Sequence, residues 1–221
     1  IRNIVFENVN IIGNQDVIGL FRRNDNSTFD NIQIKNEKIT TNNNIALNTV
    51  YIGGLAGQVY NYATVKNCSI TNLNITNNYT SNSSCIGGLV GASSYVIIQN
   101  CFVQDVNIEE SKSLNSSGLG GIIGRLGNGS SSLENCYAIG KLSNTEGSVG
   151  GIVGVGENIT LNRCFSKVDI SSQGKNIGGI AGEVNKSASN YTNEINNNLV
   201  LGNLYTNIET ENMKRIIGNA D

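Results

Sequence analysis

The sequence predicts an all-β chain: a right-handed parallel β-helix, or solenoid, of about six to seven coils. Three observations predict it. A glycine block recurs about every 30 residues, the segments between carry apolar residues with a period of two, and no stretch has helical periodicity. Residues 1–221 read as a single repeat domain. The opening Phe6-Glu-Asn8-Val9-Asn-Ile11 already fits the repeat frame, so the expectation is a fragment of a longer chain.

The glycine block has the form apolar-Gly-Gly-apolar-x-Gly. It spans Gly53 to Gly57, Gly87 to Gly91, Gly120 to Gly124, Gly150 to Gly154 and Gly178 to Gly182, with first glycines 34, 33, 30 and 28 residues apart. Weaker copies lie at Ile18-Gly19-Leu20-Phe21 and Arg215-Ile216-Ile217-Gly218. Such a column suits close backbone approach or a positive φ at a corner. Leu55, Leu89, Ile122, Ile152 and Ile180, at one position of the block, are expected to stack in the core.

A second block follows, reading Val65-Lys66-Asn67-Cys68-Ser69-Ile70 in its first copy. Cys101, Cys136 and Cys164 repeat the Cys68 position, and Ile195-Asn196-Asn197-Asn198 is a copy without cysteine. A third block alternates in the same way: Ile70-Thr-Asn72-Leu73-Asn-Ile75 matches Val103-Gln-Asp105-Val106-Asn-Ile108. Three short strands per coil are therefore expected, stacked at ~4.8 Å so that equivalent residues form ladders. Right-handedness follows from the preference of parallel crossovers. The Asn67, Asn100, Asn135 and Asn197 column suits a corner ladder of bonded amides. The absence of proline fits a chain whose N–H groups are needed for the ladder.

Composition bounds the chemistry. The chain has 38 Asn and no His, Pro or Trp, is 14% charged, and has net charge −2. Lys and Arg are dispersed, so no basic stripe is available to displace counterions from nucleic acid. No apolar run approaches the ~18 residues of a membrane span. Without histidine, Ser-His-Asp and Cys-His catalysis and the His-Glu-x-x-His zinc site are excluded. The glycine blocks lack the Gly-Lys-Ser/Thr ending of a phosphate loop. No catalytic, cofactor-binding or metal-binding residue is expected, and no cofactor.

Cys68, Cys101, Cys136 and Cys164 read as small inward core residues, because parallel side chains in a ladder aim badly for disulfides. Cys85 falls out of register and reads as a free thiol in a loop. The Ser- and Asn-rich segments 76–85, 109–118, 143–148 and 171–175 read as variable loops on one edge, where solenoids carry function. Segments 76–85 and 109–118 are expected to form the broadest raised surface and to add little to the core. The residue after each cysteine points outward, placing Phe102, Tyr137 and Phe165 in one candidate ligand-binding column. Those rings could grip a sugar or a protein, or be covered by flanking loops or a neighbouring domain. Among the carboxylates, Asp105, Glu109, Glu110 and Asp169 offer no clear glycosidase pair, and Asp105 shares a column with Asn8, Asn36 and Asn72. Of ten Asn-x-Ser/Thr sequons, Asn74, Asn78, Asn82 and Asn115 are candidate glycosylation sites in a eukaryotic source.

The glycine blocks resemble the GLUG motif, named for its Gly-Leu-x-Gly core: Gly54-Leu55-Ala56-Gly57 and Gly88-Leu89-Val90-Gly91 match it directly, and three further copies have Ile for Leu. The resemblance implies secreted or surface proteins, including adhesins and the non-catalytic region of immunoglobulin A peptidases, and implies no activity. The expectation is an extracellular or cell-surface structural or adhesive module. Its partner would be a host or matrix protein, a glycan, or adjoining domains of the same chain, and end-to-end self-association is a further possibility. Alternatives are a substrate-positioning region of a secreted metallopeptidase and a polysaccharide-active β-helix enzyme.

Overall fold

The computed structural model describes residues 1–41, 46–110, 118–127, 131–185, 192–207 and 212–220. They form three parallel sheets of 13, seven and seven strands. One coil shows the plan. Thr80–Gly87 lies in the second sheet, the chain turns at Gly88-Leu89, and Val90–Ser94 lies in the third. After a bend at Tyr95, Ile97–Gln99 and Phe102–Glu110 lie in the first sheet, separated at Asn100-Cys101. Each coil thus has four strands where the alternation suggested three, because the glycine block is a corner between two strands.

Five turns follow this plan, starting at Ala46, Thr80, Gly118, Ser148 and Asn176. Before them, Thr28–Thr41 spans both first-sheet positions of its coil and carries Arg2–Gly13 on its edge. After them, Asn212–Lys214 and Ile217–Ala220 start a further turn. The regular turns are therefore slightly fewer than the six to seven coils expected. Leu55, Leu89, Ile122, Ile152 and Ile180 are fully buried in one column, as the repeat predicts. Backbone bonds run along that column, such as Leu55 N–H to the Leu89 carbonyl at 3.0 Å and Leu89 N–H to Ile122 at 2.9 Å.

Close approach, and not positive φ, explains the glycine column. In all five full blocks, a Cβ on the second glycine would overlap a carbonyl oxygen of the next coil, as Gly88 would with Gly121 and Gly121 with Gly151. A Cβ on the third glycine would strike backbone of the second sheet, as Gly124 would at Ile86 and Gly154 at Leu119. The corner brings two strands together almost backbone to backbone. Positive φ falls instead mainly on asparagines: Asn3, Asn31, Asn67, Asn100, Asn135 and Asn197, with Arg163 in the same column, have φ of 53–59°. Asparagine tolerates this left-handed region better than most residues. Asn135 Nδ2 donates to Asn100 Oδ1 at 3.1 Å, and Arg163 Nε donates to Asn135 Oδ1 at 2.7 Å, so arginine continues the amide ladder. Asn8, Asn36, Asn72 and Asp105 form a second left-handed column, with Asn72 Nδ2 donating to Asn36 Oδ1 at 2.9 Å. Asp105 is the bulged residue where the register shifts against the following strand: Gln104 pairs with Ile139 and Val106 with Gly140, so the column ends at Asp105.

All five cysteines are buried free thiols. In the repeat column each thiol donates to the carbonyl two residues earlier, across the left-handed residue: Cys68 to Lys66 at 3.2 Å, Cys101 to Gln99 at 3.1 Å, Cys136 to Glu134 at 3.2 Å. A small side chain with a weak donor therefore suits the inside of this corner. Burial pushes the Cys164 thiol up to about 12 and raises that of Cys101. Cys85 is free but is not in a loop. It lies in strand Thr80–Gly87, paired with Tyr51 and Gly118, and is raised to about 12 by burial.

The expected loop 76–85 is likewise mostly strand, broken only at Asn78 and Tyr79, and its Asn77, Tyr79, Ser81 and Ser84 are buried. It belongs to the core, so it is no raised surface. Of segment 109–118, Glu109 and Glu110 end one strand, Gly118 starts the next, and 111–117 lie outside the described residues.

Two outcomes are expected. Thiol titration of the native protein should find none of the five cysteines reactive, and titration in denaturant without reductant should find all five; protected pairs would contradict the thiol–carbonyl geometry. Gly88→Ala should destabilise by about 1–3 kcal/mol or more through backbone overlap, read as a fall in thermal midpoint of about 2–4 °C per kcal/mol.

Candidate binding face

The outer face of the first sheet carries the residues the sequence singled out. Parallel register sets Ser69, Phe102, Tyr137, Phe165 and Leu199 in one column. The Phe102 and Tyr137 rings stack face to face, with centroids 4.7 Å apart and planes within 2°. Both rings and Phe165 are half-buried, while Leu199 is 55% exposed. Partial burial raises the Tyr137 phenol above its usual value.

The carboxylates are dispersed. Asp105 and Glu109 are exposed, and Asp169 accepts from both the backbone N–H and side-chain amide of Asn203 at 3.0 and 2.9 Å. Glu110 is buried. It belongs to a ladder that the sequence reading missed, running Thr41, Asn77, Glu110, Asn144, Ser172 on the inside of the corner where the chain leaves the first sheet. Thr41 Oγ1 donates to Asn77 Oδ1 at 3.0 Å, Ser84 Oγ donates to Glu110 Oε1, and Ser172 Oγ donates to Asn144 Oδ1 at 2.5 Å. The ladder also binds corner backbone: Asn78 N–H donates to Thr41 Oγ1 at 2.6 Å and Gly174 N–H to Ser172 Oγ at 2.8 Å. Because the polar residue at this position changes from each coil to the next, no repeated letter marks it.

Of the sequons, Asn74 and Asn82 are exposed on strands, and Asn82 Nδ2 donates to Asn48 Oδ1 at 3.3 Å. Asn78 is half-buried with its amide donating to the Thr41 carbonyl at 3.1 Å, which ties up the nitrogen a glycan would need. Asn115 lies outside the described residues.

Glu37 is a further buried carboxylate that pattern reading passed over. It stands in the column of Val9, Leu73 and Val106, is 1% exposed, and neither carboxylate oxygen has a hydrogen-bond partner among the described residues. Burial raises its carboxyl from 4.5 to about 8, and Glu110 is raised from 4.5 to about 7 by the same cause. In each case the folded state holds a proton that the unfolded chain releases above its ordinary value. The resulting stability is full below pH 4.5 and is lost as pH rises to about 8. Asp16 and Asp30, whose carboxyls are lowered by bonds from Arg22 and Asn67, act in the opposite sense, below the ordinary 3.8. The thermal midpoint should therefore fall between pH 5 and pH 8, a window spanned by the Glu37 shift. Glu37→Leu, which extends the Leu73 column, should flatten that fall and raise the midpoint most at the alkaline end. A midpoint that climbs across the window would contradict the burial of Glu37.

Two stretches of the chain, residues 48–76 and 115–143, match the family model of the GLUG motif. Each runs through a glycine corner and the first-sheet strands after it. No curated protein matches the sequence. Among solved structures, the chain is similar to the crystal structure of a "putative immunoglobulin A1 protease" from Bacteroides ovatus, with a TM-score of 0.62 and 17% identity over 98% of this chain. The match spans 66% of that protein's chain, and at this identity it establishes the fold. The glycine corners and their stacked coils are thus those of a β-solenoid that carries GLUG repeats.

Proposed function

We propose that the chain is an extracellular structural and adhesive repeat module that recognises a host or matrix surface through the outer face of its first sheet. The observation that carries this reading is the Phe102–Tyr137 stack, continued along its column by Phe165 and Leu199. The glycine, asparagine and cysteine columns account for the winding of the coils, and the aromatic column contributes to none of them. Half-buried rings in a row are expensive to leave in water and are the residue types that concentrate binding energy at interfaces.

A second reading, a substrate-positioning region of a secreted peptidase, is favoured by the likeness to the Bacteroides ovatus protein, a third of whose chain lies beyond the match. On this reading the same face meets immunoglobulin A1.

Surface plasmon resonance over immobilised fibronectin, collagen and immunoglobulin A1 tests both. Binding to a matrix protein that is lost in the Phe102→Ser, Tyr137→Ser, Phe165→Ser triple variant supports the adhesive reading, and binding confined to immunoglobulin A1 supports the second. If the folded triple variant binds as the parent does, the aromatic column is not the contact.

A further inference from the structure

The first sheet carries a second, separate feature on its outer face. Register places Thr76, Glu109, Ser143, Ser171 and Tyr205 in one column, at the opposite end of the strands from the aromatic stack. Two serines between larger residues leave a notch. Cavities of about 470 and 400 Å³ open there and share Ser143, Ser171 and Tyr205, which makes them one groove along the solenoid axis. Glu109 stands at one end and Tyr205, 55% exposed, at the other, three coil steps or about 14 Å apart.

The two sides of the groove are polar. Asn107, Lys141 and Asp169 form the neighbouring column on one side, and Asn144, Thr145 and Gln173 line the other. Several of these groups are held in place by the fold. Asp169 Oδ1 is fixed by Asn203, Asn107 Nδ2 donates to Glu109 Oε1 at 3.2 Å, and Asn144 sits in the buried ladder.

We propose that this groove binds a neutral oligosaccharide. The proposal rests on reading the outer face of the first sheet as the binding face, but on different residues from the aromatic stack. A sugar ring presents an apolar C–H face and a rim of hydroxyls that both donate and accept. The Tyr205 ring offers a flat apolar surface for the face, and the amides, the hydroxyls, the Lys141 ammonium and the Asp169 carboxylate offer both donors and acceptors for the rim. The floor is serine, so an apolar peptide would gain little there by desolvation. Lys141 stands beside Asp169 in its column and Glu109 is in the next column, so the groove carries both signs of charge and offers no single-sign field to a polyanion or a polycation. Its length along the axis exceeds one ring, which favours a chain of sugars over a monosaccharide.

Calorimetric titration with cellotetraose, maltotetraose and tetra-N-acetylchitotetraose, and with a tetragalacturonate as charged control, tests the inference. At least one neutral tetrasaccharide should bind. Tyr205→Ala should weaken that binding about tenfold, the scale of a lost aromatic contact, while Tyr205→Trp retains it. Lys141→Ala should weaken it as well. The Phe102, Tyr137, Phe165 triple serine variant should bind as the parent does, so loss of matrix binding in that variant bears on the adhesive reading alone. The proposal is overturned if no neutral tetrasaccharide binds, if only the galacturonate binds, or if binding survives Tyr205→Ala in a protein whose circular dichroism matches the parent.

Discussion

The fold depends on how closely two strands can approach at the glycine corner. A parallel coil of about 30 residues has little perimeter, and to enclose a filled core it must turn sharply without leaving peptide groups unpaired. The glycines let the second and third sheets meet with only backbone between them at that corner. The intervening Leu or Ile points into the narrow core, and its N–H and carbonyl bond to the coils on either side. A side chain at the second or third glycine would push against backbone, which cannot rotate away, so this corner admits no larger residue there.

The other corners use different solutions to the same problem. Where the first sheet bends, a left-handed asparagine changes strand direction outside while a thiol binds the carbonyl of the bend from within. Where the chain leaves that sheet, a buried row of Thr, Asn, Glu, Asn and Ser meets the exposed peptide groups. Three corners are closed respectively by close contact, by a strained but suitable φ, and by side-chain hydrogen bonding. The inward-facing carboxylates belong to this interior and differ in the support they receive: Glu110 has Ser84 beside it, whereas Glu37 has only apolar neighbours in its column.

Most of the architecture was legible because columns repeat letters. Gly, Asn and Cys recur at one position in successive coils, and an alternation of two set the faces, so the core leucines and isoleucines, the inward cysteines and the outward Phe102, Tyr137 and Phe165 all took their expected places. What failed was the reading of polar segments as loops. Thr80–Gly87 is strand because it pairs along its length with Ala46–Gly53 of the preceding coil while Ser84 meets the buried Glu110, a pairing that no single segment reveals. The fourth strand was hidden because the glycine block looks like one element when it is a corner between two. The Ser143–Ser171 notch was invisible for a related reason: a groove is an absence of side chain between Glu109 and Tyr205, residues 96 positions apart that only the register brings onto one line.

The direction of the backbone bonds has a mechanical consequence. They run along the axis from coil to coil, and each coil rests mainly on its neighbours. A pull applied along that axis loads them one coil at a time, as in opening a zipper, and not all together as in shearing two strands past each other. Each coil that detaches exchanges a rise of about 4.8 Å for roughly 100 Å of extended chain. Under tension between two surfaces the molecule would therefore lengthen in steps of one repeat, each step dissipating the work of peeling a single coil while the remaining coils keep their form.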